Sequence, residues 1–167
     1  MHSTPRRLWD HLVTEHWSAR RAFPEATVER IQEAIAAGER KHTGQVRFVV
    51  EPDLHLLEVL RGESPRERAL EVFGRLRIWD TEENCGVLVY LLLADRAVEI
   101  VADRGIHRRV GDPPWQAICR KMESAFRERR FEEGALGGIE AINALLAQHF
   151  PRTVAGPNEL PDRPLVL

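Results

Sequence analysis

The chain has 167 residues, 24 basic and 26 acidic side chains and a formal net charge of -2, so it lacks the basic excess that nucleic acid demands. Apolar residues make up 43% and charged residues 30%, the mix of a single globular domain. No apolar run approaches the ~20 residues of a membrane span, and the opening MHSTPRRLWDHLV has no apolar leader, which predicts a cytoplasmic chain without membrane insertion.

Thr4-Pro5 reads as a helix cap followed by proline at the first helical position, and Leu8, Trp9, Leu12, Val13, His16 and Trp17 recur at helical spacing. Residues 1–22 are therefore expected to be a helical extension packed on the domain that follows. Pro24 opens a second helix, with Val28, Ile31, Ala34, Ile35 and Gly38 on one face, and Thr43-Gly44 is expected to close it. Gln45 to Glu51 alternates and is β-branched, a strand stopped by Pro52; a mixed connection containing His55 follows. Ser64-Pro65-Arg66-Glu67 is a capping box, with Ala69, Val72, Phe73 and Leu76 as the buried stripe of its helix.

Gly86 to Leu93 is apolar on both faces, as a central strand must be, and Ala94-Asp95-Arg96 turns it back through Ala97 to Ala102 as a hairpin. Asp112-Pro113-Pro114 is expected to cap the next helix, carrying Trp115, Ile118, Cys119, Met122 and Phe126. A break at Glu132-Glu133-Gly134 is expected before the last helix, with Leu136, Ile139, Ile142, Leu145, Leu146 and Phe150 inward. The tail from Pro151 holds four prolines and reads as an extended strap or a disordered end.

This order predicts a three-layer α/β/α sandwich with a small mixed sheet, a parallel pair plus an antiparallel hairpin strand. Such a path puts Glu39, His42, Asp80, Glu82, Glu83, Asn84, Asp103 and the loop to Asp112 on one rim, where oxygen ligands suit a hard cation, Ca²⁺ above all. The same side chains also have structural uses: Asp112 as a helix cap, Glu39 as a helix end, Asn84 as a turn residue. Arg104, Arg108 and Arg109 share the rim, and either neutralise its carboxylates or take an anion. Neither a glycine-rich phosphate loop nor a Gly-x-Ser-x-Gly elbow nor HExxH occurs, which argues against a nucleotide cofactor, a serine hydrolase and a zinc protease. Cys85 and Cys119 have neither disulfide-framework nor metal spacing.

The runs Ile31…Ala34-Ile35…Glu39…Thr43-Gly44-Gln45-Val46, Asn84-Cys85-Gly86-Val87-Leu88-Val89, Ile100…Asp103-Arg104-Gly105-Ile106…Asp112 and Phe126…Phe131…Gly134…Gly138-Ile139 together resemble the TPM domain over residues 23–150. That family is named for a thylakoid-lumen protein, a photosystem II repair protein and a modulator of a neuromuscular receptor. The tail, residues 151–167, is similar to that of its short bacterial branch. The resemblance implies a Rossmann-like TPM sandwich, Ca²⁺ binding, and an acid phosphatase activity proposed for plant members. It carries Glu39, Asn84, Asp103 and Asp112 over as metal ligands. Where many anchored members place an acidic loop before the first domain helix, this chain has Ser18-Ala-Arg-Arg-Ala-Phe23. Three functions are expected in descending order. The first is a non-enzymatic module acting through an unidentified protein partner, linked to maintenance of membrane proteins. The second is a Ca²⁺- or Mg²⁺-dependent phosphatase, with Arg104 or Arg108 gripping the phosphate. The third is a Ca²⁺-stabilised structural domain.

Overall fold

The structure, a computed structural model, describes residues 16–54, 59 and 61–167, with the backbone alone for residues 16–18; the helix expected over residues 1–15 and His55 lie outside them. Helix α1 (His16–Ala22) falls within the expected extension, and its Ala19 is buried in the main core, so it packs on the domain. Helix α2 (Glu25–Glu39) buries Val28, Ile31 and Ile35. It stops short of Thr43-Gly44, because the chain tightens where the Arg40 N–H bonds to the Gly38 carbonyl, and His42 then bridges to Pro151. Strand β1 (Gln45–Glu51) follows as expected.

Helix α3 (Pro65–Arg75) starts on a complete capping box: the Ser64 side chain accepts from the Glu67 N–H, and the Glu67 carboxylate accepts from the Ser64 N–H at 2.8 Å. Strand β2 (Gly86–Leu92) is buried along its whole length, and strand β3 (Ala97–Ala102) returns beside it. The sequence reading has no helix next, yet α4 (Arg104–Val110) forms there, capped by Asp103 and ended by Gly111 at φ 71°. Helix α5 (Pro113–Arg127) stops at a turn in which Arg129 takes φ 62°. Helix α6 (Phe131–His149) starts before the expected break, with Glu132 and Glu133 in its first turn, where acidic groups favour the helix dipole.

The sheet order is β3-β2-β1-β4, the fourth strand being β4 (Leu165–Val166), drawn from the tail. β1 and β2 run parallel from Gln45 beside Gly86 to Glu51 beside Leu92, β3 runs antiparallel to β2, and β4 lies parallel to β1 at Val49 and Val50. Side chains alternate across the pleat. Val46, Phe48, Val50, Val87, Val89 and Leu91 thus meet the core built with α1, α2, α5 and α6. Val49, Leu88, Tyr90 and Leu92 face the other way, onto α3. Each fully buried aliphatic or aromatic side chain contributes about 1.5–3 kcal/mol, so the two cores fix the three-layer sandwich that the sequence predicts. Among the described residues no helix is long and apolar enough to cross a membrane.

Candidate functional site

Strand direction brings the polar residues to one rim. Gln45 stands beside Gly86, and Val87 beside Ala102, so β1 and β2 begin where β3 ends. The Gln45 N–H bonds to the Cys85 carbonyl at 2.9 Å and the Asp103 N–H to the Gly86 carbonyl at 2.8 Å.

Asp103 leaves β3 in extended backbone and caps α4, its Oδ1 accepting from the Arg104 N–H at 2.7 Å. The residue is only 8% exposed, and its Oδ2 is buried with no donor among the described residues. Two positions on, a Cβ at Gly105 would lie 2.5 Å from the Asn84 carbonyl oxygen and 2.8 Å from that of Glu83, so α4 can settle on the 80–85 turn only with glycine there. Asn84 takes φ 52°, a left-handed conformation asparagine tolerates. This segment therefore holds an unpartnered carboxylate oxygen at Asp103 and, two residues on, packs against two carbonyl oxygens at Gly105.

On α4, Arg104 and Arg108 are exposed and make no ion pair among the described residues, whereas Arg109 lies 4.8 Å from the Phe150 ring and donates to the His149 carbonyl. Asp112 occupies the cap position of α5 without making the cap hydrogen bond. Its side chain is 66% exposed and sits 3.5 Å from His107 Nδ1. Asp112 thus stands at the expected cap position without a side-chain cap bond, while Asp103 caps the preceding helix α4.

Glu39 faces a different neighbourhood. Its Oε1 accepts from the Val46 N–H at 2.7 Å, tying the end of α2 to the start of β1. Burial pushes its carboxyl up to about 7; the Val46 hydrogen bond opposes this, Asp162 adds to it, and Arg152 offsets part of it. A cavity of about 530 Å³ opens there, lined by Glu39, Arg40, Arg152, Asp162 and the strap from Thr153 to Asn158. Among the described residues no three His, Cys, Asp or Glu side chains group to hold a metal ion, so Glu39, Asp103 and Asp112 do not share one centre. Nearby, His42 is fully buried, with Nδ1 3.1 Å from the Gly44 carbonyl and Nε2 3.1 Å from Asn143 Oδ1, and burial holds its pKa below the usual imidazole value.

Burial also raises the thiol pKa of Cys85, and that of Cys119 to about 12, which keeps both protonated and poorly nucleophilic. The sequence reading assigns no role to Gly105 or to the Glu83 carbonyl, and passes over Arg152 and Asp162. A glycine two residues after a capping aspartate is the one local signal that marks the first of these, and the strap residues have none.

A family model described as TPM domain matches residues 19–145. The NMR structure of the BA42 protein from the psychrophilic bacterium Bizionia argentinensis is similar to this chain, with a TM-score of 0.74 and 27% identity, over 84% of this chain and 92% of that one. No curated protein matches the chain.

Proposed function

This chain belongs to the TPM-domain family, and we propose that it works in the cytoplasm as a non-catalytic accessory module for a protein partner, with a divalent cation held at Asp103. The observation that carries the cation is the buried Oδ2 of Asp103, an acceptor with no donor among the described residues, two residues before Gly105 packs on the Glu83 and Asn84 carbonyls. Leaving such an oxygen unpaired costs about 1–3 kcal/mol, more when it is charged, and a hard cation removes that cost. Asp103 and the carbonyls of Glu83 and Asn84 are the groups that would hold it. Ca²⁺ suits such a set better than Mg²⁺, because it accepts irregular arrangements of carboxylate and carbonyl oxygens. The state of the nucleophiles supports the non-catalytic part: both thiols stay protonated, and the His42 ring lies between two fixed oxygens.

Thermal melting with CaCl₂ and MgCl₂ tests the cation. A ligand at 100 times its Kd adds about 2.7 kcal/mol to native stability, so the midpoint should climb with Ca²⁺ concentration. Asp103→Asn keeps a competent helix cap and should abolish the climb. An unmoved midpoint of the wild-type chain at millimolar Ca²⁺ sinks the reading. Capture of partners by the wild-type chain but not by Asp103→Asn, each with Ca²⁺ present, tests the accessory role.

A second reading, phosphomonoester hydrolysis, draws on Arg104 and Arg108, which sit one helical turn apart just beyond Asp103 with no carboxylate paired to them among the described residues. Turnover of a generic aryl phosphate lost in both Asp103→Ala and Arg108→Ala would favour it. Turnover equal in all three proteins would mark a contaminant.

A further inference from the structure

The cavity beneath the strap is not lined by Asp103, and its chemistry is different. Its volume of about 530 Å³ is that of a small-molecule site. Two carboxylates, Glu39 and Asp162, and two guanidinium groups, Arg40 and Arg152, line it together. None of the four forms an ion pair among the described residues. Arg152 donates through Nε to the His42 carbonyl at 3.0 Å, which leaves its terminal nitrogens unspent, and Asp162 Oδ1 accepts from Asn158 Nδ2 at 2.8 Å.

Glu39 points to the ligand. It is 7% exposed, one oxygen is taken by the Val46 N–H, and the other meets no donor among the described residues. Asp162 brings a second negative charge to bear on it, and Arg152 offsets only part of the effect, so the two carboxylates leave room for a further cation. The terminal nitrogens of Arg152 make no hydrogen bond among the described residues and can receive an anionic group. Ala36, Val154 and Pro157 supply apolar lining.

We propose that this cavity binds a small zwitterion with an apolar side chain, its ammonium held by Glu39 and Asp162 and its carboxylate by Arg152: the chemistry of an apolar α-amino acid. Both charges of such a ligand find opposite charge, and the exposed strap lies over it. The site owes nothing to a metal at Asp103, and the test separates the two.

The probe is L-leucine, titrated into the full chain by NMR and calorimetry, with 3-methylbutylamine and 4-methylpentanoate as analogues lacking the carboxylate or the ammonium. The expected result is saturable shifts in residues 36–40 and 152–162, with each analogue binding at least about tenfold more weakly. Glu39→Gln keeps an oxygen for the Val46 N–H, so the fold persists while leucine affinity falls by about tenfold or more. Arg152→Lys should weaken leucine more than the amine, and Asp103→Asn should leave leucine binding as in the wild type. No leucine binding by about 10 mM, analogues as tight as leucine, or a Glu39→Gln chain that binds unchanged would each overturn the proposal.

Discussion

The Arg68 guanidinium meets the Glu51 carboxylate side-on, Nη2 to Oε1 at 2.6 Å and Nε to Oε2 at 2.9 Å, with both side chains buried between α3 and β1. The Tyr90 hydroxyl donates to the same carboxylate, and Arg68 Nη1 reaches Glu71 at 2.8 Å. Helix α3 packs on this face of the sheet, and this cluster orients it. Arg68→Ala strands a buried carboxylate and should cost about 3–5 kcal/mol in urea unfolding, whereas Tyr90→Phe, which removes one donor, should cost about 1–3 kcal/mol. A smaller loss for Arg68→Ala than for Tyr90→Phe would contradict the assignment.

Glu39 makes stability depend on pH in the direction opposite to most carboxylates. Its folded-state pKa is raised from 4.5 to about 7, so the native chain holds this proton more tightly than the unfolded chain. The contribution is complete below about 4.5 and is lost as pH climbs to about 7, roughly 3 kcal/mol in all. Urea titrations at steps between those limits should show that fall, set against the other groups, and Glu39→Gln should remove its share.

Glycines rank by what surrounds them. A Cβ at Gly86 would lie 2.0 Å from the Ile78 carbonyl oxygen, a backbone atom that cannot step aside, and Gly86→Ala should prevent folding or cost more than about 3 kcal/mol. At Gly138 the nearest atom is the Met122 sulfur, 2.3 Å away on a flexible side chain, so alanine should cost less. Gly137 has open space within α6, and alanine there should stabilise by up to about 1 kcal/mol. Thermal midpoints of the three variants check the order.

The sequence reading expects a cap at Asp112 and none at Asp103, but only Asp103 makes the cap bond. In metal-free buffer Asp103→Ala should cost about 1 kcal/mol, and Asp112→Ala, at an exposed side chain, no more than about 0.5 kcal/mol.

That contrast shows where the sequence is readable. Signals contained within one or two turns, such as the capping box at Ser64 or the alternation of Gln45 to Glu51, stand in the structure where they were expected. Helix α4 has an arginine-rich stretch with a glycine near its start and only Ile106 fully buried, so no apolar period announces it. Strand β4 is two residues long, too short for alternation to register. The rim was legible because strand direction follows from chain order. Which rim residues meet is not, since Glu39 bonds to the Val46 N–H and faces a cavity walled by strap residues whose path no local pattern sets. Likewise nothing near Glu51 names Arg68 or Tyr90 as its partners.

The strap has a consequence for assembly. The β2–β3 hairpin closes through one short turn, whereas contacts such as Arg47 to the Arg163 carbonyl join positions 116 apart. Closing longer loops costs more entropy, so the hairpin zips early and the strap docks late. Until then the outer edge of β1 is open to any neighbouring chain with a free strand. Crowded refolding should therefore trap dimers through that edge, and a molar excess of a peptide matching residues 160–167 would compete with them.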